Sequence, residues 1–310
     1  MALVTTKSTD MTWIWQQSKE FSNREGLTSY DFSISRSQEQ PGVSAMVRVR
    51  NEETKIFHCL MSILPVFDEI VLVDNGSDDQ TVDIIRRLAD SHDTHGKIRL
   101  LSYPHRLARF GPEHDGTPED SIRSAVYYTN WSLSHCRYRY VCKWDGDMVM
   151  NRSVREQFRD FLERIQTERK KGWVLAGQTV YRDSHNDFYL SKGEINREIE
   201  IFPVDFRCRF VKARHWERLN RPFYLRKGHF DPVCFYELKF TDEDEFSHWS
   251  SRDWPSRRKQ REWENYRMVQ DGQLSEHQFE KLPRTFLDDQ IEPDSGDPDR
   301  AHAFGSPGHC

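Results

Sequence analysis

Apolar positions in the first half of the chain come as short buried runs that alternate with helix-spaced sets. Val43 to Val49 reads as a buried strand, after which Ile56, Cys59, Leu60, Ile63 and Leu64 recur at helical spacing. Glu69-Ile70-Val71-Leu72-Val73 predicts a second strand, stopped by Asp74-Asn75-Gly76-Ser77, and Val82, Ile85, Leu88 and Ala89 then share one helical face. Lys97 to Ser102 gives a third strand. Beyond a polar loop with Gly111, Pro112, Gly116 and Pro118, the positions Ile122, Ala125, Val126, Thr129 and Leu133 predict another helix. Thr117 reads as its N-cap, Pro118 as its first residue, and Glu119 and Asp120 suit the helix dipole. Tyr138 to Trp144 is a fourth strand, Val154, Phe158, Phe161, Leu162 and Ile165 mark a helix, and Trp173 to Val180 is a further strand.

Strand-helix alternation of this kind implies an α/β fold, a Rossmann-like, mainly parallel sheet flanked by helices and joined by right-handed crossovers. Ligands of such sheets gather beyond the carboxyl ends of the strands. Asp74 closes the second strand, and Asp145 and Asp147 close the fourth. Residues 1–42 lack sustained periodicity and read as an N-terminal extension, ending at the punctuation Gln40-Pro41-Gly42. The core is expected over 43–181. Residues 182–285 look aromatic, charged and irregular apart from a helix near Arg257 to Gln270, and are read as the acceptor side of the same domain. The acidic, Pro- and Gly-rich stretch 286–310 is expected to be a disordered tail.

Composition narrows the function classes. The chain has 310 residues, 36% hydrophobic and 31% charged, with enough Trp, Tyr and Phe to fill a core despite its polarity. A net charge of −5 argues against a general nucleic-acid binder. The basic run Arg257-Arg258-Lys259 with Arg261 reads as a solvated helix face. No stretch approaches the roughly 20 apolar residues of a membrane span, and no signal pattern opens the chain. A cytoplasmic protein is therefore expected, with peripheral contact at the inner face of a membrane left open. Cys59, Cys136, Cys142, Cys208, Cys234 and Cys310 form no CxxC pair and read as packed thiols.

Asp145-Gly146-Asp147 is the sharpest chemical signal. Two carboxylates separated by one small residue after an apolar strand can reach a divalent cation, and oxygen donors suit Mg²⁺ or Mn²⁺, which neutralises a diphosphate. Alone the pattern is not specific. His105, Arg106 and Arg109 follow the third strand, where a cation could hold a phosphate, but ordinary loop polarity explains them better. His92 and His95 lack a third ligand in register. Ser77 and Asp78 read as caps of the following helix.

Three ordered segments together are more specific: Val43-Ser44-Ala45-Met46-Val47-Arg48-Val49-Arg50-Asn51-Glu52-Glu53, then Phe67 through Thr81, then Lys143-Trp144-Asp145-Gly146-Asp147. They resemble glycosyltransferase family 2 over about a third of the chain. That resemblance implies a GT-A fold and a hexosyltransferase-like enzyme. It also implies a nucleotide-sugar donor, a glycan, lipid-linked or other hydroxyl acceptor, Mn²⁺ or Mg²⁺, and inversion at the anomeric carbon. It places Arg50, Asn51 and Glu52 beside the nucleotide, Asp74 on the base, and Asp145 and Asp147 on the metal and diphosphate. Asp78 and Gln80 depart from the family's usual Thr and Gly in that turn. The catalytic base of the family lies downstream in an acidic pair, which points to Asp244, then Glu243, within Thr241-Asp242-Glu243-Asp244-Glu245. Glu237 stands where many GT-A enzymes carry a late His ligand, and Lys239 beside it is a candidate phosphate contact; an edge strand explains both equally well.

Two other enzyme classes fit parts of the pattern. A haloacid-dehalogenase-like phosphatase would use Asp145 as nucleophile in Asp145-Gly146-Asp147-Met148-Val149, although its motif normally follows the first strand. A sugar nucleotidyltransferase expects a Gly-rich loop near its start, and none is present. A non-catalytic glycan- or nucleotide-binding relative of the GT-A enzymes is the remaining alternative.

Overall fold

The computed structural model describes residues 20–31, 40–168, 170–204, 207–241, 246, 249 and 256–292. A small hairpin, β1 (Glu20–Ser22) and β2 (Ser29–Asp31), precedes the main body. The expected strand-helix alternation follows: β3 (Gln40–Val49), α1 (Ile56–Ile63), β4 (Glu69–Asp74), α2 (Thr81–His92) and β5 (Ile98–Ser102). Next come α3 (Pro112–Gly116), α4 (Ala125–Ser134), β6 (Tyr138–Asp145), β7 (Met148–Met150), α5 (Arg155–Ile165) and β8 (Lys171–Arg182). β3 pairs in parallel with both β4 and β6, and β4 with β5, so the first four strands of the core stand in the order β5-β4-β3-β6.

The burial of β3 and β4 explains their sequence. In β3, Val43, Ala45, Val47 and Val49 join one apolar cluster with α1 and α5 residues such as Leu60 and Phe158, while Met46 turns to a second cluster with Tyr127 and Leu133 of α4. In β4, Ile70 and Leu72 face the first cluster and Val71 and Val73 the second. Both faces are covered, so these strands read as continuous apolar runs rather than alternating ones.

The second half is more regular than its sequence suggests. It contains β9 (Phe188–Ser191), β10 (Asn196–Pro203), β11 (Arg209–Lys212), β12 (Glu217–Asn220), β13 (Arg226–Lys239), α6 (Arg257–Gln270), β14 (Phe279–Leu282) and α7 (Phe286–Ile291). β10 pairs antiparallel with β6 and β8, extending the parallel half, and β9 and β14 continue the sheet. β13 runs parallel along β8 and antiparallel to β7. Its pairing shifts register between His229 and Val233, around Pro232, which lacks the N–H a continuous ladder needs. Half-exposed antiparallel strands carry charges on their open face, which hides them from an apolar-run reading. Among the described residues no helix is long and apolar enough to cross a membrane.

Two local expectations are corrected. Thr117 does not cap the long helix; it ends the short α3, and Ser124 caps α4 by accepting from Val126 N (3.2 Å) and Tyr127 N (3.4 Å). Residues 118–122 are held out of the helix by the β1–β2 turn, where Glu25 accepts from Ser121 Oγ (2.7 Å) and Ile122 N (2.8 Å) and Arg24 pairs with Asp120 (2.6 Å). The disordered tail cannot start at 286, because α7 buries Phe286 and Leu287 against Val149, Val180 and Leu238. Residues 293–310 lie outside the described residues. The five described cysteines are free and buried, as expected.

Candidate functional site

The site residues gather at the carboxyl ends of β3, β4 and β6. Asn51 takes a left-handed conformation, φ 54°, which Asn tolerates better than most side chains. This turns residues 51–53 onto the loop after β4. Asn51 N donates to Ser77 Oγ (3.0 Å), Asp78 N to Asn51 Oδ1 (3.0 Å), Glu52 N to Thr81 Oγ1 (2.7 Å) and Gln80 N to Glu53 Oε2 (3.0 Å). Ser77 and Asp78 thus join two loops instead of capping α2, and Asp79 accepts from Thr81 N at the start of that helix (2.9 Å). Buried Asp74 accepts from Gly76 N (3.2 Å) and Ser77 N (3.1 Å), which sets the turn that positions its own carboxylate. Arg50 is half-buried, and its Nε is buried with no hydrogen-bond partner.

Asp145 lies opposite Arg48 in the parallel β3–β6 register, and the two side chains meet: Arg48 Nη2 donates to Asp145 Oδ1 at 3.0 Å. Lys143, two residues back on the same face, donates to Oδ2 at 2.9 Å. Burial alone would raise the pKa of Asp145, but Lys143 and Arg48 hold its carboxyl well below the ordinary range. The other arm of Arg48 donates to Glu217 Oε1 (2.6 Å) and Thr129 Oγ1 (3.0 Å). Between the two acids Gly146 is tightly enclosed, since a Cβ there would come 2.8 Å from Val49 Cγ1 and 3.2 Å from Glu52 Cγ.

Asp147, Glu237 and Lys239 form a second cluster. β13 pairs Glu237 with Met148, and Leu238 N donates to Asp147 O (2.8 Å), which brings the β13 side chains to the turn after β6. Lys239 Nζ lies 2.8 Å from Asp147 Oδ2 and 2.7 Å from Glu237 Oε1, and Asn196 Nδ2 donates to Glu237 Oε2 (3.0 Å). Burial, with Glu237 nearby, keeps Asp147 above the ordinary carboxylate range despite Lys239. Burial pushes Glu237 the same way, but Lys239 and Arg258 outweigh it and hold that group below its ordinary value. Glu52 is paired with Lys55 (2.6 Å), yet burial and the charge of Asp147 push it up to about 7.

Among the described residues no group of three or more His, Cys, Asp or Glu is arranged to hold a metal ion. The donor chemistry nonetheless suits a hard cation, because Asp145, Asp147 and Glu237 offer only carboxylate oxygen. Glu52 and Asp147 are raised first by burial and then by neighbouring acids, Asp147 beside Glu52 and Glu237 beside Asp147, which Lys55 and Lys239 offset in part. The residues present therefore fit a divalent ion.

Of the sequence-predicted residues, Asn51 and Asp74 both bond Ser77 in the loop after β4, Asp147 and Glu237 meet through Lys239 with Glu52 nearby, and Asp145 is held separately by Arg48 and Lys143. Glu243 and Asp244 lie outside the described residues. Arg109 pairs with Glu113 on the surface (3.4 Å), in keeping with ordinary loop polarity. The basic run of α6 divides: Arg257 and Arg261 are exposed, whereas Arg258 turns to buried Glu262 (3.2 Å), with Lys259 at 3.8 Å from it. Arg48, Lys143 and Glu217 were missed as site residues. The available signal was Arg48 itself, a charge inside the apolar run Met46-Val47-Arg48-Val49.

A family model described as glycosyl transferase family 2 matches residues 44–110, from β3 through the loop after β5. No curated protein matches the chain. Among solved structures it is similar to S. aureus TarS 1-349 in complex with UDP-GlcNAc, at 15% identity over 80% of this chain and 70% of that one, with a TM-score of 0.43. It is also similar to the mannosyltransferase PcManGT from Pyrobaculum calidifontis in complex with GDP-Man and Mn²⁺, at 19% identity over 54% and 40% of the two chains, TM-score 0.34. Glucosyl-3-phosphoglycerate synthase from Mycobacterium tuberculosis in complex with Mn²⁺ and UDP-Glc is similar at 19% identity over 49% and 46%, TM-score 0.29. The matched segment contains Arg50, Asn51, Glu52 and Asp74 and stops before Asp145. It is this segment, folded as the parallel β5-β4-β3 side of an α/β sheet, that carries the chain's likeness to glycosyl transferase family 2.

Proposed function

We propose that the protein transfers a sugar from a nucleoside-diphosphate-sugar to an acceptor hydroxyl, with a divalent metal and with inversion. The observation that carries this reading is the convergence of Asp74, Asn51, Asp145 and Asp147 at the carboxyl edge of β3, β4 and β6, within and just beyond the family-matched segment. Ligands of open α/β sheets bind at that edge.

The nucleoside lies against Asp74 and the 50–53 loop, which the hydrogen bonds to residues 77–81 hold in place before any donor arrives. Asp145 and Asp147, with Glu237 as a third oxygen donor, would hold Mn²⁺ or Mg²⁺, which would supply positive charge to a leaving diphosphate. Arg48 and Lys143 keep Asp145 ionised and correctly turned, so that its charge is available at any physiological pH. Lys239 joins Asp147 to Glu237 and is near enough to both to share in phosphate binding.

The base that removes the acceptor proton is assigned to Asp244, with Glu243 the second candidate. The assignment rests on the family resemblance, with Asp244 five positions after Lys239 in the sequence. The phosphatase alternative has less support, since its motif normally follows the first strand of the core, whereas Asp145 ends β6, after β3, β4 and β5.

The test is to incubate the purified protein with a panel of UDP- and GDP-sugars, with and without Mn²⁺, and to measure nucleoside diphosphate release and thermal stabilisation. Donor-specific release that disappears in Asp145→Asn and Asp147→Asn supports the proposal. Phosphate release from sugar phosphates with no nucleoside diphosphate would replace it with the phosphatase reading.

A further inference from the structure

A long basic segment lies away from the candidate catalytic residues, between β11 and the start of β13. Residues 207–227 contain eight Lys or Arg and one acid, Glu217, in a chain whose net charge is −5. That one acid does not neutralise the patch, because it turns inward to Arg48.

Strand register explains how these cations reach one surface. In the β11–β12 hairpin Arg209 pairs with Asn220 and Val211 with Arg218, so Arg209 and Arg218 share a face, while Phe210 on the opposite face is buried over α4, where its backbone bonds Asn130. Both arginines are exposed. The chain then turns through Arg221-Pro222-Phe223-Tyr224-Leu225 into β13, whose first residues, Arg226 and Lys227, are also exposed. Arg226 N donates to Lys170 O (2.8 Å), which adds exposed Lys170 to the same edge. Among the described residues none of Arg209, Arg218, Arg226 and Lys227 has a carboxylate partner within ion-pair distance. The nearby acids are engaged by other groups: Glu168 by Lys171 (3.1 Å), Asp231 by Arg197 (3.9 Å), Asp115 by His215 (2.9 Å) and Glu119 by the backbone N–H of Lys212 (2.7 Å).

At the tip of this basic surface Phe223 is 100% exposed. The loop beneath it is anchored, because Leu225 is buried, Arg221 Nη1 donates to Leu225 O (3.1 Å) and Arg207 stacks on Tyr224 (4.8 Å). A fully exposed aromatic ring on a fastened loop, between strands that carry the exposed cations Arg209, Arg218, Arg226 and Lys227, combines the two signals of interfacial membrane binding: an apolar wedge and attraction to anionic headgroups. Single-stranded nucleic acid is the weaker match. Successive bases need aromatic faces laid open side by side, whereas Phe223 and Tyr224 meet edge to face at 77° and Arg207 already covers Tyr224.

We propose that this basic, Phe223-tipped surface docks the protein on an anionic lipid bilayer. The proposal does not depend on the sugar-transfer reading. It does have a consequence for the catalytic site, because β12 joins the two: Glu217 at its start bonds Arg48, the partner of Asp145, and Arg218 beside it belongs to the docking surface. Docking would set the site's carboxylate cluster close to the membrane surface.

The experiment is co-sedimentation of the full chain with phosphatidylcholine vesicles, with and without phosphatidylserine, alongside binding to single-stranded RNA. The variants are Phe223→Ser and the pair Arg226→Gln with Lys227→Gln, all at exposed positions, and circular dichroism confirms that they fold. The expected result is binding that requires phosphatidylserine and weakens with salt. Phe223→Ser should weaken it about tenfold, the lower end of the loss for exposing a large apolar side chain. The paired variant should weaken it roughly fivefold for each cation removed. No phosphatidylserine-dependent sedimentation, or sedimentation unchanged in both variants, overturns the proposal. RNA binding without vesicle binding also overturns it and reassigns the surface to a polyanion.

Discussion

Replacement of Arg48 by Met should destabilise the protein by about 3 kcal/mol. The methionine keeps an apolar stem of similar reach in the β3 position and removes only the guanidinium. That group now holds Glu217 at 2.6 Å, Thr129 at 3.0 Å and Asp145 at 3.0 Å. Glu217 is the costly survivor: its side chain is 5% exposed, and its only other contact to Oε1 is a long one from Thr129 Oγ1 at 3.4 Å. Stranding one partner of a buried pair costs about 3–5 kcal/mol. The low end applies because Asp145 is 29% exposed and keeps Lys143.

Urea unfolding followed by tryptophan fluorescence measures the loss, and a cycle of Arg48→Met, Glu217→Gln and the double variant isolates the pair. The double variant should recover about 2 kcal/mol relative to the sum of the single changes. Asp145 adds a pH signature. Its folded-state carboxyl sits below the ordinary range, so its stabilisation is complete above the unfolded value and disappears as pH falls through the folded one. The Arg48→Met deficit should therefore be largest near neutrality and shrink in acid. A deficit below about 1 kcal/mol, or a coupling below about 0.5 kcal/mol, would refute the view that Arg48 is the internal counter-charge of this site.

Further outcomes follow from other parts of the fold. Gly177→Ala sets a Cβ 2.2 Å from the Phe235 ring in the β8–β13 ladder and should cost about 1–3 kcal/mol in urea unfolding, with part of it regained when Phe235→Leu is added. Glu25 is held at about 2 because hydrogen bonds from Asn23, Ser121 and Ile122 outweigh its desolvation, so its contribution is present above its ordinary value and lost as pH falls toward 2. Glu25→Gln should thus lower stability at neutral pH by about 1 kcal/mol, a figure reduced for the exposure of the group, and match the wild type in strong acid. Phe286→Ala should cost about 3 kcal/mol through lost packing against Phe188 and Tyr236; a melting temperature equal to wild type would mean that α7 adds nothing.

What could be read from the sequence alone is the part of the protein in which local pattern and tertiary role coincide. Buried parallel strands must be apolar on both faces, so β3, β4 and β6 announce themselves, and with them the strand ends at Asp74 and Asp145. Asn51, Asp74 and the Asp145-Gly146-Asp147 turn were legible for that reason, helped by an ordered resemblance to a known family.

Tertiary structure decided the rest. Nothing in the local pattern near Thr117 tells that Glu25, about a hundred residues away, binds Ser121 and Ile122 and delays the helix to Ser124. The strands after 182 pair antiparallel, apart from β13 along β8, and leave one face open, so charge and apolarity mix along them and neither period is clean. The counter-charges of the site come from chain crossings: Arg48 meets Asp145 by parallel register, Glu217 by the return of β12, and Lys239 reaches Asp147 because β13 pairs with β7. Electrostatic pairing of this kind depends on separations of a few ångströms between residues up to 169 positions apart, and such distances exist only in the folded chain.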